Sequence, residues 1–265
     1  MNNKHDSLKD LLDSYTNSPE PSFKVSNYFQ IYTSLFSHLR NEHCTFIETG
    51  ILNGGSLFMW KKWLGKNARI IGIDLNPEAK KWENHGFEIY IGDQGDPVFW
   101  KSTFEKIGKF DALLDDGGHQ SFQQIVTLTE AVIAAKEKCI IAIEDTCTSF
   151  MKEFSKHQNN TFLEFAKDAT DCLLAKTSHF SEGEFPKVTN SKSVGLFENI
   201  YSVEFFSGIV AFKVDPLSIK EPQLVWNQTP KKNQPDFRYF GKSSALVDWP
   251  NLFEIKSVLV EGGKK

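Results

Sequence analysis

The chain has 265 residues, room for one generous domain or two small ones at roughly 150 residues per domain. Its 40% apolar content and 17 glycines are those of an ordinary globular protein, and the net charge is −4. Of 30 basic residues only three are arginine (Arg40, Arg69, Arg238); a nucleic-acid binder would need a basic face rich in bidentate guanidinium groups, so charge argues against that partner.

Residues Met1 to Asp10 (MNNKHDSLKD) carry no apolar run after their charges, so no secretory signal is expected. No window approaches ~18 apolar residues, so no membrane span is expected. Cys44, Cys139, Cys147 and Cys172 lack CxxC spacing and read as reduced thiols in a cytoplasmic protein. A polar lead-in gives way to a helix in which Tyr28, Ile31, Tyr32, Leu35, Phe36 and Leu39 recur at helical spacing, so residues 1–43 form an N-terminal helical lead-in.

From Cys44 short apolar runs alternate with amphipathic stretches. The runs are Cys44–Gly50, Ala68–Leu75, Phe87–Gly92, Phe110–Asp115 and Cys139–Ile143, with helices predicted at Ser56–Leu64, Pro97–Ile107 and Phe122–Lys138. This rhythm predicts an α/β fold with a parallel sheet covered on both faces. One more helix follows around Phe162–Leu173. Two further strands, Tyr201–Phe206 and Ile209–Val214, are split by Ser207-Gly208 and form an antiparallel pair at the sheet edge. Residues 216–265 have no clear period and read as a C-terminal arm on the same domain.

Polar groups gather at the strand ends, where ligands of open α/β sheets bind. The first is Glu48-Thr49-Gly50-Ile51-Leu52-Asn53-Gly54-Gly55-Ser56, a glycine turn leading into a helix N-terminus. Its acid would repel a pyrophosphate, and the G-x-G-x-x-G fingerprint of a NAD-dependent dehydrogenase is missing; the ammonium and carboxylate of S-adenosylmethionine would suit it. Asp74 ends the second strand, where an acid can accept ribose hydroxyls, and Asp93-Gln94 ends the third, where an adenine edge would be met. The candidate cofactor contacts are Glu48, Gly50, Asn53, Gly55, Ser56, Asp74, Asp93 and Gln94, together with Asp115 and Asp116.

Asp115-Asp116-Gly117-Gly118-His119 ends the fourth strand and Glu144-Asp145 the fifth. Neighbouring strands are about 5 Å apart, so these carboxylates would crowd one crevice, which is unfavourable unless a cation sits among them. Hard oxygen ligands point to magnesium or calcium rather than zinc. His119 can face the same crevice and take a proton at neutral pH.

The run from Tyr28 to Lys213 resembles the S-adenosylmethionine-dependent sugar O-methyltransferases of the mycinamicin and macrocin type and their cephalosporin-hydroxylase-like relatives. The motifs that carry it are FIETGILNGGSLFMWKKW, IIGIDL, IYIGDQGDPVFW, FDALLDDGGHQS, IAIEDTCTSF and NIYSVEFFSGIVAFKV. The resemblance implies a Rossmann-like class I methyltransferase domain over 44–215, with a seven-stranded, mostly parallel sheet and an antiparallel edge strand. It implies magnesium on Asp116, Glu144 and Asp145, His119 as general base, a sugar hydroxyl as acceptor, and homo-oligomers. The chain departs from the family pattern at Gly118, where serine is common, at Phe150, where tyrosine is common, and at Cys147. Aromatic segments Phe180–Phe197 and Phe237–Trp249 would wall the acceptor. The alternatives are an O-methyltransferase acting on a non-sugar or phosphate-type oxygen, and a non-catalytic S-adenosylmethionine-binding protein.

Overall fold

The computed structural model describes residues 3–155, 161–175 and 196–215. The chain divides into a unit from Met1 to Pro222 and another from Gln223 to Lys265; the second, like all of the expected arm at 216–265, lies outside the described residues. The described elements are α1 (Asn3–Thr16), α2 (Tyr28–Phe36), β1 (Thr45–Thr49), α3 (Gly55–Leu64), β2 (Arg69–Asp74), β3 (Glu88–Ile91), α4 (Pro97–Ile107), β4 (Ala112–Asp115), α5 (Ser121–Ala134), β5 (Cys139–Ile143), α6 (Phe162–Ala175), β6 (Ile200–Phe205) and β7 (Val210–Val214). Tight 3-10 turns occupy Pro77–His85 and Thr146–Phe150.

The strands form one sheet in the order β3-β2-β1-β4-β5-β7-β6. β1 pairs in parallel with β2 and β4, and β3 and β5 extend the sheet in parallel on either side. β7 runs against both β5 and β6, so the reversed strand lies one place inside the edge and β6 forms the edge itself. After β1 the chain builds β2 and β3 on one side and then crosses to β4 and β5 on the other. That reversal opens a crevice at the carboxyl ends of β1 and β4.

Strands β1, β4 and β5 are buried along their whole length, as their apolar stretches Phe46-Ile47, Ala112–Leu114 and Cys139–Ile143 require, with Glu48, Thr49 and Asp115 buried at the carboxyl ends. Successive residues feed opposite faces: Phe46, Ile70, Leu114 and Ala142 join the layer built with α1–α3, while Ile47, Ile71, Leu113 and Ile141 join the layer of α4–α6. Asp96 accepts the Val98 amide at 2.8 Å and Pro97 opens α4, which fixes where that helix starts. No helix among the described residues is long and apolar enough to cross a membrane.

The N-terminal segment shares the core of the sheet. Leu11 of α1 and Tyr32 and Phe36 of α2 pack in the same cluster as Phe46 and Trp60. The Trp63 indole donates to the Ser7 carbonyl at 2.9 Å, and Arg40 reaches Asp10 at 2.6 Å. Between α1 and α2 the chain crosses the start of α3. There Ser18 Oγ donates to the Gly55 carbonyl at 2.8 Å and Tyr15 Oη to the Ser22 carbonyl at 2.8 Å. The crossing is so close that a Cβ on Gly55 would stand 2.3 Å from the Glu20 carbonyl oxygen.

Candidate active site

The crevice holds a cavity of about 450 Å³ at the carboxyl ends of the parallel strands, within the range of small-molecule sites. Of the residues expected there, Gly50, Asn53, Ser56, Asp74, Asp93, Gln94, Asp116, His119 and Asp145 line it. Glu48, Gly55, Asp115 and Glu144 are buried behind its wall.

The inner carboxylates are met by a cation from the chain itself. Lys24, whose side chain is 2% exposed, places Nζ 3.3 Å from Glu48 Oε1 and 3.6 Å from Glu144 Oε1, and also contacts Asp116 Oδ2. Glu48 further accepts Ser56 Oγ at 2.6 Å, and Glu144 accepts Tyr32 Oη at 2.5 Å. Burial raises both glutamates above the usual carboxylate range, against the opposing pull of the Lys24 ammonium. Burial by itself would lower the lysine, but Glu144, Glu48 and Asp116 outweigh it and hold the ammonium charged. Glu48 thus meets an amino group from within the fold.

The outer group is Asp116, His119 and Asp145, with one ligand atom from each lying within 4.8 Å of the others. His119 Nε2 stands 4.0 Å from Asp116 Oδ1 and 3.6 Å from Asp145 Oδ2. The remaining oxygen of each acid is already engaged: Lys24 takes Asp116 Oδ2, and Tyr28 Oη donates to Asp145 Oδ1 at 2.6 Å. Burial, and then that hydrogen bond to Asp145, raise the Tyr28 phenol, so the hydroxyl stays a donor. His119 and Asp145 both adopt left-handed backbone, with φ of 54° and 51°, a conformation costing a non-glycine residue on the order of 1–3 kcal/mol and typical of functional sites. Thr148 Oγ1 lies 2.9 Å from the His119 carbonyl oxygen and 2.8 Å from that of Asp145, which ties the two strained residues together.

Other predicted contacts serve the loops. Asp74 Oδ2 accepts the amides of Ile51 (3.0 Å) and Leu52 (3.2 Å), and its Oδ1 accepts that of Asn76 (2.8 Å), so it anchors the glycine turn while facing the cavity. Asp93 Oδ1 closes a turn by accepting the Gly95 amide at 2.7 Å. Gln94 donates to both oxygens of Asp115 at 2.9 and 3.0 Å and accepts the Gly118 amide at 2.7 Å. It therefore holds the β4 loop in shape, and Asp115, buried and raised by burial, faces Gln94 and not the acid crevice. Cys147 and Phe150 are exposed, and Phe197, expected on an acceptor wall, is buried against Phe165 in the core. The rest of that wall, 180–195 and 237–249, lies outside the described residues.

Lys24, Tyr28, Tyr32 and Thr148 were not anticipated from sequence. Tyr28 and Tyr32 do carry a signal, since they fall four apart and share one side of α2, whereas Lys24 precedes the helix.

The donor set fits a hard divalent cation: Asp116 Oδ1 and Asp145 Oδ2 are carboxylate oxygens aimed at one spot. Four acids (Glu48, Asp116, Glu144, Asp145) also outnumber the single ammonium among them. His119 Nδ1 is buried with no hydrogen-bond partner. The glycine turn packs directly on the β4 loop that carries Asp116: Gly50 has φ of 81°, and a Cβ there would lie 2.1 Å from the Asp116 carbonyl oxygen.

Sheet order, crevice and strand-end acids together define a Rossmann-like class I methyltransferase fold. The 8-demethyl-8-alpha-L-rhamnosyl tetracenomycin-C 2'-O-methyltransferase of Streptomyces olivaceus is 25% identical over 137 residues, 49% of this chain and 36% of that protein. The demethylmacrocin O-methyltransferase of Streptomyces fradiae is 27% identical over 188 residues, 65% and 47% of the two chains. The mycinamicin VI 2''-O-methyltransferase of Micromonospora griseorubida is 25% identical over 203 residues, 69% and 49%. Among solved structures, the MycE methyltransferase of the mycinamycin pathway in complex with Mg and SAH superposes with a TM-score of 0.66 at 20% identity, covering 86% of this chain and 58% of that one. No protein-family profile matches. The homologues are thus sugar O-methyltransferases of the mycinamicin and macrocin type, as the motifs implied, and the chain spans less than half the length of each of these curated relatives.

Proposed function

We propose that this chain transfers a methyl group from S-adenosylmethionine to a sugar hydroxyl with the help of magnesium. The observation that carries the reading is the convergence of Asp116 Oδ1, His119 Nε2 and Asp145 Oδ2 on the cavity at the β1/β4 crevice. The names of the relatives and the Mg and SAH bound to MycE support the substrate and cofactor classes. A cytoplasmic setting and self-assembly belong to the same reading; the free state of all four cysteines supports the former.

Asp116 and Asp145 would hold the magnesium ion, which when bound favours the ionised form of a hydroxyl beside it. The chain's own part is to position and to move one proton. His119 Nε2 takes the hydroxyl proton while the sugar oxygen forms its bond to the methyl carbon. The carbon–sulfur bond breaks as that bond forms, and S-adenosylhomocysteine leaves with the electron pair. The glycine turn and Asp74 hold the methyl donor in line, so most of the rate comes from orientation and fixed charge.

The test is incubation of the protein with methyl-labelled S-adenosylmethionine, magnesium and a panel of glycosides, nucleotide sugars and non-sugar alcohols. Label is expected in a glycosidic acceptor, and transfer should stop when the cation is chelated. Label only in non-sugar acceptors would overturn the sugar assignment, and failure to bind S-adenosylmethionine in calorimetry would overturn the whole reading.

A further inference from the structure

The four acids of the crevice do not share one environment. Glu144 is buried, takes no part in the cavity wall, and offers Oε1 to both Tyr32 Oη and Lys24 Nζ. Its main chain is fixed as well, since the Gln124 amide donates to its carbonyl at 2.9 Å. Asp116 and Asp145 each have one oxygen held from the N-terminal side, by Lys24 and Tyr28, and one turned toward His119. An N-terminal triplet spaced four residues apart therefore takes one oxygen from each of three acids; of the three oxygens left, those of Asp116 and Asp145 belong to residues that line the cavity and turn toward His119, while Glu144 stays behind the wall.

We propose that Lys24 is a built-in cation reserving the inner half of this cluster, so that a divalent cation is held by Asp116 Oδ1 and Asp145 Oδ2 and not by Glu144. This rests on the metal-dependent reading above and departs from the ligand set that the family resemblance implies. An ion on Glu144 Oε1 would share that oxygen with an ammonium already 3.6 Å away, and two cations in a poorly solvated space repel strongly. The ammonium is not on a free arm: the Tyr15–Ser22 and Ser18–Gly55 hydrogen bonds pin the crossing segment that carries it. Tyr28 and Tyr32 are positioning residues of different consequence, because Tyr28 orients an ion-binding acid and Tyr32 only a reserved one. Partners that orient ligands commonly change metal affinity by about 10–100-fold when removed.

The experiment is titration of the full chain with Mn2+, following free ion by paramagnetic resonance, with folding checked by circular dichroism. Wild type is expected to bind one ion. Asp145→Asn and Tyr28→Phe should weaken binding fivefold or more, whereas Glu144→Gln and Tyr32→Phe should change it less than fivefold. Lys24→Met should admit a second ion or bind the first at least fivefold tighter. The tyrosine pair decides the matter even if the Glu144 variant fails to fold, because it leaves every carboxylate in place. A fivefold loss in Glu144→Gln or Tyr32→Phe, or an unchanged Lys24→Met, overturns the proposal while leaving metal-dependent transfer standing. Absence of any bound Mn2+ in wild type would instead overturn the metal-dependent reading itself, and this proposal with it.

Discussion

The hydroxyl of Tyr28 donates to Asp145 Oδ1 at 2.6 Å, across 117 positions of sequence. That bond makes α2 a support for a site residue as well as a layer of the core, since the helix also buries Tyr32 and Phe36 against the sheet. The N-terminal segment thus couples packing to chemistry: the burial that stabilises α2 also delivers two phenols and an ammonium to the acids at the strand ends.

Replacing His119 by alanine is expected to slow methyl transfer by about 10²–10⁴-fold, the usual contribution of a positioned general base. Binding of S-adenosylmethionine, measured by calorimetry, should stay within threefold of wild type. Undiminished turnover would show that the proton leaves by another route.

Strand ends and the Asp116–His119–Asp145 grouping were legible because unbroken apolar runs fix where a parallel strand stops, and parallel strands stop side by side. Side-chain direction was not legible. Asp115 and Asp116 are adjacent, yet one faces Gln94 inside the protein and the other the crevice, since successive residues point to opposite sides. Lys24 carries no sequence signal, because it stands in the Pro/Ser-rich stretch Ser18–Ser26, where no period marks it, and its partners lie 24, 92 and 120 positions away in a fold only the sheet assembles. Helix α1 is polar in overall composition, yet Leu8, Leu11 and Tyr15 recur at helical spacing and form a narrow apolar stripe beneath a charged outer face; α1 packs on α3.

Gly50→Ala should disturb both fold and site. The new methyl would meet the Asp116 carbonyl, and the positive φ adds strain on the order of 1–3 kcal/mol. A lowered denaturation midpoint with weakened S-adenosylmethionine binding is expected. A fully stable variant that binds normally would mean the turn and the β4 loop can move apart freely.

Gln94→Met keeps the volume but removes the donor to Asp115 and the acceptor for the Gly118 amide. Asp115 would keep the Gly117 amide as a donor but lose two hydrogen bonds, and the Gly118 amide would lose its acceptor, which should cost about 1–3 kcal/mol in urea denaturation. If Gln94 served mainly as a ligand contact, stability would be unchanged and only cofactor affinity would fall.

Lys24→Met offers a pH signature. Glu48 and Glu144 are raised in the folded chain by burial, and Lys24 opposes the rise. An acid with a raised folded value binds more protons folded than unfolded, so its contribution to stability is complete below the ordinary value near 4.5 and is lost as pH climbs toward the folded value. Without the ammonium both glutamates rise further and the window of loss extends upward. The variant should therefore be only slightly destabilised at pH 5.5, where the glutamates can take up protons. At pH 8, where proton uptake is less favourable and buried charge loses its partner, the loss should be larger, reaching about 3–5 kcal/mol. The wild-type lysine stays charged at both values, since its folded value is raised above the ordinary 10.5. Urea midpoints at the two pH values measure the difference, and an equal loss at both would show that Lys24 acts through packing and not through charge.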